Sequence, residues 1–185
     1  MTSPDRLRHV RRLCIVLFCA GLAVLLLTAA ISHLIPATGR QTYIIRGGSM
    51  EPTIPLGSVI AVRPVSADRV AVGDIVTLRT LDGVVVTHRV TGVITAPDGT
   101  LSLATKGDAN AFGDTPDWPA QALVGRVDLW IPYAGYLMAF VATVPGLLAL
   151  LCSMATLLLL IWGIDELGAG RRPLPQTATD AATPG

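Results

Sequence analysis

Asp74-Ile75-Val76-Thr77-Leu78-Arg79-Thr80-Leu81-Asp82-Gly83-Val84-Val85-Val86-Thr87-His88-Arg89-Val90 decides how the polar middle of this chain folds. Val, Ile, Leu and Thr dominate both halves of the stretch, and such residues suit an extended, half-buried backbone better than a helix. Leu81-Asp82-Gly83 between them has the composition of a tight reversal, which predicts a hairpin with arms at 74–80 and 84–94. The same composition predicts strands at 58–65, 100–105 and 124–131, with Pro97-Asp98-Gly99 as the next reversal. The fold class expected is therefore mainly β: a small antiparallel β domain, with no internal repeat and no strong amphipathic helix.

On both sides of these strands the chain turns apolar. Of its 185 residues, 51% are hydrophobic and only 15% charged, a balance that points to a membrane protein. No charge interrupts residues 13–32, a run of about 20 residues, which is the length needed to cross a bilayer core. Arg6, Arg8, Arg11 and Arg12 precede this run, and Thr28-Ala29-Ala30 loosely resembles a cleavage site. The run is longer than the roughly 7 to 15 apolar residues of a cleavable signal, which favours a retained anchor. A second uncharged stretch, 129–164, is too long for one span and is divided by Pro145-Gly146. Residues 146–164 then form a second crossing, and 131–144 lies at the membrane surface or packs on the core. Tyr133, Tyr136 and Trp162 are candidate interfacial anchors.

Two crossings place both termini on one side, and the N-terminal arginines with Arg171 and Arg172 mark that side as cytoplasmic. The chain thus divides into a basic cytoplasmic N-terminus (1–12), a transmembrane helix (13–34), an outward-facing β domain (35–135), an interfacial segment (136–145), a second transmembrane helix (146–164) and a cytoplasmic tail (165–185). The tail is rich in Pro, Thr and Ala from 173 onward, a composition that predicts disorder. The net charge of +1 argues for neither nucleic acid nor an acidic partner. Cys14, Cys19 and Cys152 all lie outside the β domain, so no internal disulfide staples it, and Cys14 and Cys19 are too widely spaced for a CxxC redox pair.

Within the β domain, Gly47-Gly48-Ser49-Met50-Glu51-Pro52-Thr53 sets a serine in a glycine-rich turn soon after the first apolar run. Taken alone this is a turn, and a lone histidine such as His88 is more often a satisfied core or surface group than a base. His88 is followed by Lys106-Gly107-Asp108-Ala109-Asn110 and by Asp114, so a nucleophile, a base and candidate orienting carboxylates occur in order. Lys106 is the only lysine, and a serine-lysine mechanism has no other base to use. The chain has neither an HExxH helix nor a Walker loop, and no metal, nucleotide or other cofactor is implied.

These blocks resemble the conserved boxes of type I signal peptidases: the serine box at Gly47–Thr53, the following strand at Gly73-Asp74-Ile75-Val76, the base box at His88-Arg89-Val90 and the terminal box at Lys106–Asn110. The resemblance covers about 45–136. Histidine, where the bacterial branch has lysine, makes the chain similar to the ER-type branch of eukaryotes, archaea and some Gram-positive bacteria, and Ile131-Pro132-Tyr133 before the second anchor fits the same branch.

The resemblance implies a membrane-bound serine endopeptidase that removes signal peptides from translocated preproteins. Ser49 would be the nucleophile and His88 the general base. Asp108 is expected to orient the imidazole, with Asp114 as the second candidate, and Ile45, Met50 and Val86 are candidate substrate-binding residues. It also implies substrates with small side chains, usually alanine, at the first and third positions before the scissile bond. Gly47 lacks the hydroxyl that some bacterial members use in the oxyanion hole, which leaves the Ser49 N–H and a second donor. The expected partners are preproteins, the lipid bilayer and accessory subunits of the kind some ER-type members need. Arginine far outnumbers lysine, which favours a prokaryotic plasma membrane. Two other functions compete: a self-cleaving serine-lysine protease of the repressor type, and a catalytically silent membrane protein whose β domain binds partners.

Overall fold

The structure, a computed structural model, describes residues 3–169. The tail predicted to be disordered, 173–185, lies outside the described residues. These residues form two compact units, the first made of the helical stretches up to Ala23 and from Leu148 onward, the second running Val24–Leu147.

Helices α1 (Ser3–Ala37) and α3 (Val144–Ala169) supply the first unit. Both are long and apolar enough to cross a membrane, with mean hydropathy of 2.8 within Arg6–Ala37 and 2.5 within Val144–Leu167. Each extends past the uncharged run that predicted it. Charge marks the edge of the apolar slab, whereas arginine, aspartate and glutamate continue a helix at little cost, so α1 takes in Arg6–Arg12 and α3 takes in Asp165 and Glu166. Gly21 of α1 gives room to Met154 of α3: a Cβ there would lie 3.3 Å from the Met154 Cγ. Near one end of the pair Arg11 Nε donates to Asp165 Oδ1 at 2.6 Å. Pro145 falls in the first turn of α3, where its missing N–H removes no helical hydrogen bond.

The second unit holds one seven-stranded antiparallel sheet in the order β1-β2-β7-β3-β4-β5-β6. Its strands are β1 (Gln41–Ile44), β2 (Val59–Arg63), β3 (Ile75–Arg79), β4 (Val85–Thr95), β5 (Leu101–Lys106), β6 (Trp118–Pro119) and β7 (Leu123–Ile131). The five predicted strands correspond to β2, β3, β4, β5 and β7. Both predicted reversals are present, with Gly83 and Gly99 at φ +86 and +84. β7, the last strand in sequence, inserts between β2 and β3, pairing Ala61 with Leu129 and Thr77 with Gly125. Period-2 alternation then feeds two cores. Ile75 joins Met50, Ile54, Ile60 and Val62 in one, while Val76 and Leu78 join Val70, Val90 and Leu103 in the other.

Helix α2 (Ala134–Ala142) occupies the segment predicted to be interfacial and packs on the loop that follows the serine turn. Gly135 N–H donates to the Gly57 carbonyl at 2.8 Å, and Gly57 N–H to the Ile45 carbonyl at 2.9 Å. Gly57 has φ +80, and the Tyr136 ring lies against its Cα where a side chain would stand. Gly57→Ala should therefore lower stability by about 2–4 kcal/mol, the sum of left-handed strain and overpacking. Thermal unfolding in detergent checks this: adding Tyr136→Ala should recover the overpacking share, and an unchanged melting temperature for Gly57→Ala would refute the close packing.

Candidate active site

Ser49 lies on a turn whose shape is set from both directions. Glu51 N–H closes back on the Gly48 carbonyl at 3.1 Å, and Ile54 N–H on the Met50 carbonyl at 2.9 Å. Met50, with no exposed surface, anchors the turn in the core beneath. From across the sheet, Ala109 N–H donates to the Ser49 carbonyl at 2.9 Å. Gly107 is required at this approach, because a Cβ there would come within 2.6 Å of the Ser49 oxygen. The loop after β5 thus clamps the backbone of Ser49.

His88 is brought to Ser49 by strand pairing. It lies opposite Val76 in the β3–β4 ladder and is 7% exposed. Its Nε2 is 3.1 Å from Ser49 Oγ, and its Nδ1 is 2.6 Å from Asp114 Oδ2. With Nδ1–H donating to the carboxylate, Nε2 carries the lone pair and accepts from the serine hydroxyl.

The carboxylate that meets His88 is Asp114, where Asp108 was expected. Arg89 engages Asp108 through both ends of its guanidinium, Nε to Oδ1 at 2.8 Å and Nη2 to Oδ2 at 2.7 Å. His88 and Arg89 are neighbours on β4, so their side chains leave opposite faces of the sheet, and Asp108 follows the arginine. Lys106 Nζ donates to the Asn110 carbonyl at 2.6 Å.

Asp114 Oδ2 also accepts from Thr105 Oγ1 at 2.5 Å and from Trp118 Nε1 at 3.1 Å. Neither donor was expected from the sequence. Thr105 reads as an ordinary strand residue, and Trp118 belongs to β6, a two-residue strand containing a proline that gives no periodic signal. The available clue was the indole itself, which needs an acceptor when covered. Burial pushes the Asp114 carboxyl up, but the hydrogen bonds from His88, Thr105 and Trp118 outweigh it and hold the carboxyl below its ordinary range. The Arg89 guanidinium likewise holds the Asp108 carboxyl down against desolvation.

A groove of about 670 Å³ runs from Ser49 between Thr42–Arg46 on one side and Val84–Thr87 on the other. Both walls are open strand edges: β1 ends the sheet, and β5 pairs with β4 only from Arg89 onward. Of the three candidate substrate-binding residues, Ile45 and Val86 are half-buried in the groove walls. Met50 also lines the groove, as a buried core residue at its floor. No protein-family model matches the chain.

The Asp108 carboxyl is depressed on folding, so its stabilising contribution is present above its unfolded value and is lost as pH falls through the folded one. Arg89 is about one-third exposed, and solvent screening keeps the contribution small. Asp108→Asn should lower stability at neutral pH by about 1–2 kcal/mol and flatten the fall in melting temperature between about pH 5 and pH 2. Identical acid profiles for variant and parent would show that the pair contributes nothing.

Proposed function

We propose that this chain is a membrane-anchored serine endopeptidase of the signal-peptidase type, ER-type branch, acting on the extracytoplasmic side of a plasma membrane. Ser49, His88 and Asp114, hydrogen-bonded in one line, support this reading above all. The resemblance of the serine, base and terminal boxes supports the family reading, and the two helices long and apolar enough to cross a membrane support the anchors.

In this reading His88 Nε2 takes the hydroxyl proton as Ser49 Oγ attacks the scissile carbonyl. The imidazolium that forms is stabilised by Asp114 and returns its proton to the leaving amine. Water, activated by the same imidazole, then hydrolyses the acyl-enzyme. The Ser49 N–H has no acceptor among the described residues and is available to the developing oxyanion. A substrate bound as an extended strand would pair with the free edges of β1 and of Val84–Thr87, gaining backbone hydrogen bonds without regard to sequence. Side-chain choice would come from the walls, where Ile45 and Val86 line the groove, and the resemblance implies small residues there.

Cleavage of a preprotein bearing an Ala-x-Ala site by the detergent-solubilised protein is the direct test. Ser49→Ala and His88→Ala should each lower kcat by at least about 10²- to 10⁴-fold, and Asp114→Asn should follow them. Lys106→Met should stay within about tenfold of the parent, since its ammonium is not the base. Cleavage that survives Ser49→Ala would rule the assignment out, and loss with Lys106→Met alone would move the base to lysine.

A further inference from the structure

We propose that Thr105 and Trp118 are positioning residues that fix the Asp114 carboxylate on the His88 Nδ1–H, an inference that rests on the peptidase reading for its kinetic consequences. Three donors from three different strands converge on a single oxygen: His88 Nδ1 from β4, Thr105 Oγ1 from β5 and Trp118 Nε1 from β6, all on Asp114 Oδ2. Thr105 holds the aspartate twice, since its carbonyl also accepts the Asp114 backbone N–H at 2.8 Å. Thr105 is 1% exposed, so its hydroxyl has no water to turn to and its orientation is fixed by the carboxylate. Trp118 is held by β6, which pairs it with Leu103 of β5, and its ring packs on the second core.

Without these donors a carboxylate on a loop has two oxygens and free rotation about its χ angles, and nothing selects the rotamer that meets the imidazole. With them, the oxygen that faces His88 is already located before substrate arrives, and its charge is shared among three hydrogens. The edge strand β6 thereby acquires a purpose: two residues of ladder suffice to aim one indole N–H.

Thr105→Val deletes the hydroxyl, Thr105→Ser retains it, and Trp118→Phe deletes only the N–H. With an Ala-x-Ala preprotein, Thr105→Val should lower kcat about 10- to 100-fold and Trp118→Phe about 3- to 10-fold with KM little changed, while Thr105→Ser restores most of the loss. A carboxylate left with fewer donors pulls harder on the Nδ1–H, so the acid limb of kcat/KM should move to higher pH. The other charged groups nearby are Arg79 and Asp117, which line the cavity behind Asp114, Lys106 at the end of β5, and the Arg89–Asp108 pair; all are retained in these variants. In an Asp114→Asn background Thr105→Val and Trp118→Phe should have almost no further effect on kcat.

An unmoved acid limb, a Thr105→Ser protein as impaired as Thr105→Val, or undiminished losses in the Asp114→Asn background would each overturn the proposal. A readout independent of turnover separates it from the peptidase reading: the downfield proton resonance of the His88 Nδ1–H should shift in both Thr105→Val and Trp118→Phe. If the parent fails to cleave but the resonance shifts as expected, the positioning stands and the peptidase reading falls. An unshifted resonance overturns the positioning whatever the activity.

Discussion

The carboxylate of Asp114 cannot be buried beside a histidine unless its charge is answered by donors, and much of the sheet's far end is arranged to supply them. Its side chain is only 16% exposed, and desolvation alone would raise its carboxyl and favour the neutral acid. Hydrogen bonds from β4, β5 and β6 reverse that preference. The constraint explains why β5 must end close to where β4 carries His88, and why a strand as short as β6 is present at all. A protonated Asp114 would leave the imidazole without the partner that fixes its tautomer.

The segment from Thr105 to Trp118 holds Ser49 as well as His88. Near its start, Gly107 and Ala109 close on the carbonyl of Ser49; further on, Asp114 reaches His88. Ser49 and His88 are 39 residues apart in sequence and lie on separate elements, so their 3.1 Å contact depends on both being referred to this one segment. Lys106 and Asn110 keep the segment's bend closed, through Nζ to the Asn110 carbonyl and Asn110 N–H to the Gly107 carbonyl. Pro52 and Pro116, both in cis linkage, flank the two turns that carry Ser49 and Asp114.

Local chemistry was legible in the sequence where it acts within a few residues. Runs of Val, Ile and Thr between Gly83 and Gly99 specify a strand because each residue's own backbone preference and the turn glycines agree. The shortest edge strand was less legible: β6 is defined solely by its partner on β5. The choice between Asp108 and Asp114 was illegible for a sharper reason. Both follow His88 in order, and what separates them is the face of β4 from which their partners emerge. Alternation along β4 would have separated His88 from Arg89, but the position of the returning loop relative to that strand is set by the β4–β5 register, with Arg89 opposite Lys106. Register is a property of the assembled sheet.

The same alternation gives the Arg89–Asp108 pair a role distinct from chemistry. Arg89 also donates to the Gly73 carbonyl at 2.9 Å, so its guanidinium ties the loop before β3 to the loop after β5. Asp108 lies between the two residues that approach the Ser49 carbonyl, Gly107 and Ala109. An ion pair on one face of β4 therefore sets the height of the loop whose backbone holds Ser49 on the other. A charged pair suits this task because the fork of the guanidinium fixes direction as well as distance. Neighbouring residues on one strand thus divide the work, with His88 turned to Ser49 and Asp114 and Arg89 to the scaffold that holds them.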